Sequence, residues 1–370
     1  TPVAPEVRAE MADCLERAFG NPSSIHALGQ EARRIIDRAR ESVARLIGAQ
    51  PEEIVFTGGG TEANNLAIFG AVRSRDPGSA HIITTAIEHQ AVLNPCRHLE
   101  TTGCVATYLG VEADGRLAPE SVREAARRDT VLVSIMLANN EVGAAQPVKA
   151  VAELFDSRTT LVHTDAVQAV GKIPIDVKAL GVDLLSISGH KLYGPKGVGA
   201  LYVRTGTTLA PSTFGGHQEH GLRPGTENVP SIAGLGRACE LAGERLAEDG
   251  KSLALLRDSF EQQVLTQVDG AAVNAAGVER LPNTTSICFP GLVADMLAIN
   301  LDLLGLAVST GSACSVADQE PSHVLLAMGR SRAEALSAIR FSLGRDTTAE
   351  DITTAVERIC QAVGCMRSNR

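Results

Sequence analysis

The sequence predicts an α/β protein with a mostly parallel central sheet, helices on both of its faces, and a smaller C-terminal α/β domain. Two observations carry this. Short β-rich runs alternate with helical stretches from residue 54 to residue 203, the rhythm of strands joined by helical crossovers. A long helical stretch over about residues 230–268 then separates this block from a second one. With 370 residues, 44% of them hydrophobic and 21% charged, the chain has the length of about two domains and the composition of a globular protein.

The elements follow in order. Apolar side chains at 32, 35, 36, 39, 43, 46 and 47 share one helical face over residues 27–47. The β-rich runs are Ile54–Phe56, His81–Thr84, Val105–Tyr108, Val131–Ile135, Leu161–Thr164, Leu184–Ile187 and Val198–Val203. Residues 16–245 are expected to form the large domain and 246–370 the small one, with residues 1–15 packing against the small domain. Aromatic residues supply only 3% and Trp is absent, so Ala, Val, Leu and Ile must build the core.

Composition also bounds the function. The net charge of −9 argues against a protein-wide field for nucleic acid, so no direct nucleic-acid partner is expected. No apolar run reaches the roughly eighteen residues of a membrane span and no signal peptide is recognisable, so a cytoplasmic location without membrane association is expected. Eight cysteines without a C-x-x-C pair are too sparse for a disulfide scaffold. They are expected to be mostly buried thiols in a reducing compartment, and no structural zinc site is expected.

Four stretches end strands with polar residues, where open α/β sheets bind ligands. In "VFTGGGTEANNLA" a strand runs into three glycines and Thr61 opens a helix, a candidate anion cup. Taken alone, a glycine turn before a helix is often only a turn. "TAIEHQAVL" places His89 just past a strand, where a lone His is commonly structural. "LVHTDAVQAVG" ends a strand on Asp165, with Gln168 three residues on; such an Asp often merely caps a helix. "SISGHKLYGPKG" sets Ser188, His190 and Lys191 at the end of an apolar run, where an ordinary lysine would simply seek solvent. Together the four fit one cofactor. Pyridoxal phosphate needs a phosphate site, a ring-stacking partner, a carboxylate on its pyridine nitrogen and an amine for a Schiff base.

At these residues the sequence resembles the cysteine desulfurases of the NifS/IscS type, within the class-V aminotransferase-like group. The matching stretches run in order through most of the chain: "GNPSSIHALGQEA", "EIVFTGGGTEANNLAI", "EHQAVL", "ANNEVGAAQP", "HTDAVQAVGKIPID", "SGHKLYGPKGVGALYV", "RPGTENV", "STGSACS", "EPSHVL" and "IRFSLGR". The resemblance implies the fold type I architecture of pyridoxal-phosphate-dependent transferases and a set of residue roles. Gly60, Thr61, Ser188 and His190 would hold the phosphate. His89 would stack on the ring, Asp165 would pair with its nitrogen, and Asn140 and Gln168 would contact its phenolic oxygen. Lys191 would carry the Schiff base. Thr226 would reach the phosphate of a neighbouring subunit, which implies a homodimer. Arg340 would grip the carboxylate of the substrate, L-cysteine, with Asn140 beside it; the planar fork of Arg suits a carboxylate.

Cys314, between Ser312-Ala313 and Ser315, would be the nucleophile that takes the substrate's sulfur as a persulfide and releases alanine. His89 would shuttle protons. A sulfur-acceptor protein would follow, either an iron–sulfur scaffold or an enzyme of tRNA thiolation or DNA phosphorothioation. Thr310 and Ser315 depart from the family's usual wording around the cysteine, as does "GGHQEHGLRPGTEN". The H-x-x-H of His217 and His220 lacks an evident third ligand, so no metal is expected. Two rivals keep part of the pattern. An aminotransferase or selenocysteine lyase would need Lys191 and Asp165 but not Cys314, and an inert sulfur-relay scaffold would need none of the three.

Overall fold

Seven strands form the larger sheet of the computed structural model, which describes residues 1–75, 80–311 and 320–368. They are β1 (Ile54–Thr57), β2 (His81–Thr85), β3 (Val105–Leu109), β4 (Thr130–Ser134), β5 (Leu161–Asp165), β6 (Leu184–Ser188) and β7 (Gly199–Val203), in the order β1-β7-β6-β5-β4-β2-β3. Strands β3, β2, β4, β5 and β6 pair in parallel, and β7 runs antiparallel to both of its neighbours. The connection from Ser188 to Gly199 contains only a short 3₁₀ turn at Gly189–Lys191. It is too short for a helical crossover, so the chain must return antiparallel.

Helices α1 (Pro5–Arg17), α2 (Ala27–Ile47), α3 (Gly60–Arg73), α4 (Gln90–Glu100), α5 (Pro119–Ala125), α6 (Val148–Ala152) and α7 (Val177–Leu180) accompany this sheet. The face expected on α2 is the buried one, with Ala32, Ile36, Ala39, Val43 and Ile47 inside and Ile35 and Leu46 half-buried at its edges. Gly48 ends this helix at φ 73°, a left-handed conformation suited to glycine. Strands β1, β2, β5 and β6 are buried throughout, as expected for a sheet covered on both faces. The core between sheet and helices is aliphatic: Leu66, Ala67 and Ile68 of α3 and Val92 and Cys96 of α4 meet Ile82, Leu132, Leu184 and Leu201.

The chain divides into two compact units. The first comprises Thr1–Leu109, Pro119–Leu137 and Pro147–Leu246, and the second Gly110–Ala118, Ala138–Gln146 and Ala247–Arg370. Residues 1–15 therefore group with the large unit, which corrects the expectation that they pack with the small domain. The physical reason is a pair of long-range hydrogen bonds: the Ala4 N–H donates to the Tyr193 carbonyl at 2.9 Å, and Thr1 Oγ1 donates to the His190 carbonyl at 2.8 Å. Two short excursions, 110–118 and 138–146, belong to the second unit although they lie far upstream in the chain.

Helix α8 (Val229–Gln267) runs through the division at 246/247. The second unit holds an antiparallel sheet in the order β10-β11-β9-β8, formed by β8 (Ala272–Val273), β9 (Thr284–Cys288), β10 (Ser309–Thr310) and β11 (Ala338–Ser342). Helices α9 (Ala294–Leu303), α10 (His323–Ala327), α11 (Arg332–Ala335) and α12 (Ala349–Ser368) complete it. Its core is centred on Phe341, whose ring lies 4.9 Å from that of Phe260 and 6.4 Å from that of Phe289. Among the described residues, no helix is long and apolar enough to cross a membrane.

Candidate active site

Within the first unit, the polar strand ends lie along the carboxyl edge of the sheet, because β1, β2, β5 and β6 all run the same way. Thr57 closes β1 and is in register with Gly199, which is in register with Ser188 at the end of β6. The backbones of Gly199 and Gly59 approach so closely that a Cβ on Gly199 would stand 2.8 Å from Gly59 Cα and 2.4 Å from the Ile187 carbonyl oxygen. Only glycine fits there. Gly59 itself has φ 148° and ψ −179°, a conformation essentially restricted to glycine, and open space surrounds its missing side chain.

Helix α3 begins at once, at the buried Gly60, with no side-chain cap on its first turn. A Cβ on Gly60 would meet Val167 Cγ2 at 2.7 Å and Ser188 Cβ at 3.3 Å. Gly60, Thr61 and the buried Ser188 thus form one cradle of backbone N–H groups and a hydroxyl, at the positive end of a 14-residue helix. Glu62 ties this turn down by accepting from the Gly58 N–H at 2.8 Å and from Arg223 Nε at 2.9 Å.

His89 caps α4, with Nδ1 accepting from the Ala91 N–H at 3.0 Å, so the neutral ring carries its proton on Nε2. Asp165 is buried. Its Oδ1 accepts from the Val167 N–H at 3.0 Å and its Oδ2 from Asn64 Nδ2 at 2.6 Å. Burial pushes the Asp165 carboxyl above the usual carboxylate range; these two donors and the charges of His89 and Lys191 oppose that. Gln168 is half-buried, and its Oε1 takes a hydrogen bond from Lys172 Nζ at 3.1 Å, which leaves the amide N–H groups to face elsewhere.

His190 and Lys191 sit in the 3₁₀ turn after β6. Burial lowers the His190 pKa, and the adjacent Lys191 charge adds to the effect. The turn is held by the Gly194 N–H donating to the Gly189 carbonyl at 3.0 Å, with Tyr193 at a positive φ of 62° between them. Thr226 is exposed. With Phe214 and Arg223 it lines an open groove of about 480 Å³.

The other expected residues belong to the second unit. Arg340 lies on β11, and its Nη1 donates to the Asn140 carbonyl at 2.9 Å, bringing these two together. Burial lowers the guanidinium's pKa, and Glu141 opposes the shift. Arg340 Nε has no hydrogen-bond partner among the described residues. Cys314 lies outside the described residues, but both approaches to it are described. Ser309 of β10 is in register with Arg340. Farther along, Ser322 Oγ donates to Glu141 Oε2 at 2.5 Å, and a Cβ on Gly311 would stand 2.7 Å from that same oxygen.

Sequence reasoning passed over Asn64, Glu88 and Glu141. Asn64 is a polar residue among the apolar positions of α3, which is a readable signal. Glu88 is completely buried beside His89, accepting from Thr85 Oγ1 at 2.7 Å and from the Met136 N–H at 2.9 Å; burial pushes it up to about 8. His217 and His220 are exposed, while Glu219 between them is buried against Arg40, with oxygen–nitrogen distances of 2.8 and 2.6 Å. Among the described residues, no group of three or more His, Cys, Asp or Glu side chains could hold a metal.

The model of the aminotransferase class-V family matches residues 1–354. The cysteine desulfurase IscS of Dictyoglomus turgidum is 45% identical over 368 residues, covering 100% of this chain and 93% of the relative. The putative cysteine desulfurase IscS 1 of Bacillus subtilis is 45% identical over 364 residues, covering 98% of this chain and 96% of the relative. Among solved structures, a NifS-like protein superposes with a TM-score of 0.92 at 39% identity, covering 99% of this chain and 97% of that one. The chain belongs to the class-V aminotransferase family and, within it, to the cysteine desulfurases of the NifS/IscS type.

Proposed function

We propose that this protein converts L-cysteine to L-alanine, keeps the sulfur as a persulfide on Cys314, and passes it to an acceptor protein. The observation that carries the reading is the alignment of the Gly60–Ser188 cradle, Asp165, His89 and Lys191 along one sheet edge. Pyridoxal 5'-phosphate fits these residues. The cradle lies at a helix N-terminus, where Gly60 packs so closely against Val167 and Ser188 that a Cβ would not fit. Asp165 is a buried acid whose hydrogen bonds leave both oxygens able to accept another donor. When bound, the cofactor supplies an electron sink for the pair released at the substrate's α-carbon.

The chain's own residues do the rest. Gly60, Thr61, Ser188 and His190 bind the phosphate, joined by Thr226 of a second copy in a homodimer. His89 would stack on the ring, Asp165 would hold the proton on its nitrogen, and Asn140 and Gln168 would orient it through the phenolic oxygen. Lys191 would hold the cofactor through its side-chain amine and would move the proton at the substrate's α-carbon. Arg340 binds the substrate carboxylate, with Asn140 beside it, and its unpartnered Nε leaves capacity for a two-pronged contact. The Cys314 thiolate attacks the substrate's sulfur. The S–S bond forms as the C–S bond breaks, and the carbon side keeps the electron pair and is protonated, with His89 as proton carrier.

Five of the seven described cysteines are poorly placed for this role, whereas Cys360 is half-buried and Cys365 exposed. Cys14, Cys96, Cys104, Cys239 and Cys288 are buried, and burial pushes Cys96 and Cys239 up to about 12. Their free thiols fit a reducing compartment, and the cytoplasm is the proposed location. The acceptor is an iron–sulfur scaffold or an enzyme that thio-modifies tRNA or DNA. With a net charge of −9, the nucleic acid is handled by that partner and not by this chain.

Cys314→Ser tests the reading. The variant should keep cofactor absorbance and lose alanine and sulfide production from cysteine. Wild-type protein incubated with cysteine should carry the added sulfur on the peptide containing residue 314. Retained turnover in the variant would refute the nucleophile.

A further inference from the structure

We propose that Asn64 is a positioning residue for Asp165: its side-chain amide, carried on the second turn of α3, orients the Asp165 carboxylate toward the ring nitrogen of the cofactor. This rests on the reading of the site as a pyridoxal-phosphate site. Asn64 is 1% exposed and its Nδ2 donates to Asp165 Oδ2 at 2.6 Å. The Val167 N–H takes the other oxygen, Oδ1, at 3.0 Å. Two donors, one on α3 and one in the turn just after β5, take one oxygen each and fix the plane of the carboxylate.

The amide orientation follows from charge. Turned round, Asn64 would put its carbonyl oxygen against a carboxylate oxygen, and two acceptors repel. In the observed orientation Asn64 Oδ1 is buried with no hydrogen-bond partner among the described residues. A buried unsatisfied carbonyl costs stability, and an apolar side chain of similar volume would avoid the cost. Its neighbours on the helix, Ala63, Leu66, Ala67 and Ile68, are apolar and buried. The amide thus serves the carboxylate and not the packing of α3.

The helix adds a second element of positioning. Gly60 and Thr61 at its start belong to the phosphate cradle, and Asn64 lies one turn later, a rise of about 6 Å from Gly60. One rigid element therefore sets both the phosphate end and the nitrogen end of a planar ligand. The titratable groups acting on Asp165 from other elements are His89 and Lys191, which favour its ionised form when they carry charge, and the buried Glu88, which disfavours it when ionised. Asn64 supplies the side-chain hydrogen bond that acts in the same direction as Lys191.

The test uses Asn64→Leu and Asn64→Asp in the full chain. Leu removes the donor; Asp is nearly isosteric and replaces the donor with an acid. Pyridoxal phosphate is titrated into each protein and followed by its visible absorbance. Separately, the Asp165 carboxyl is titrated by carbon-13 NMR in cofactor-free protein. Loss of a hydrogen bond to a charged group should raise the dissociation constant about 10- to 100-fold and move the Asp165 midpoint up by about one pH unit or more. Asn64→Asp should bind at least as weakly as Asn64→Leu at neutral pH. Thermal midpoints of the cofactor-free proteins control for folding, and Asn64→Ser replaces Leu if that variant does not fold. Wild-type affinity in Asn64→Asp, or an unmoved Asp165 midpoint, overturns the proposal. A wild-type protein that takes up no cofactor would instead overturn the reading on which it rests.

Discussion

Glu88→Gln should make the protein more stable, and increasingly so as the pH rises. Glu88 is completely buried, and burial raises its carboxyl from the ordinary 4.5 to about 8. Its folded-state pKa lies above its unfolded one, so the native protein holds the proton more tightly than the unfolded chain does. The stabilisation this confers is fully present below pH 4.5 and is lost as the pH climbs through 8. Each pH unit in that window costs the wild type about 1.4 kcal/mol relative to a group that does not titrate.

Gln copies the neutral acid. Its Oε1 can accept from Thr85 Oγ1 and the Met136 N–H as Glu88 Oε1 does. The two proteins should be nearly equal at pH 4.5, differ by about 3 kcal/mol at pH 7, and level off near 5 kcal/mol above pH 8. Urea unfolding of both proteins at a series of pH values from 5 to 9 measures the difference directly, since other titrations largely cancel. A difference that does not change with pH, or one that grows toward acid, would refute the burial argument.

Two further substitutions probe the frame of the site. Arg40→Met should cost about 3–5 kcal/mol, because it leaves Glu219 buried without its ion-pair partner; a thermal melt reads the loss, and Arg40→Met combined with Glu219→Met should recover part of it. Gly199→Ala should cost about 1–3 kcal/mol and weaken cofactor retention at least tenfold, because its Cβ would push against Gly59 and the Ile187 carbonyl. Unfolding midpoints and cofactor titration check both effects, and unchanged retention would separate β7 from the phosphate cradle.

Much of this site was legible in the residue order. The anion cup, His89, Asp165 and Lys191 each sit at a strand end, and a parallel sheet sends all such ends to one edge. Strand β7 was readable as a strand, but its reversed direction depends on how short the connection from Ser188 to Gly199 is. Residues 1–15 were misplaced because their attachment runs through hydrogen bonds to the carbonyls of Tyr193 and His190, distant positions that local pattern does not reveal.

His163 shows the same limit from inside the core. In the sequence it is one more residue of an apolar run. In the fold its Nδ1 lies 2.8 Å from Ser134 Oγ and its Nε2 2.9 Å from Ser186 Oγ, and burial lowers its pKa to about 3. A neutral imidazole thus bridges three strands.

By itself the amino-acid order determined the element types, the direction of most strands and the chemistry carried at their ends, because periodicity, glycine turns and strand-end polar residues are local properties. Only the tertiary structure decided which groups share a proton or a charge: Asn64 with Asp165, Glu88 with its buried donors, Glu141 with Ser322, Arg40 with Glu219. Those pairings depend on desolvation and on contacts between residues far apart in the chain, and neither exists until the sheet and its helices have closed around them.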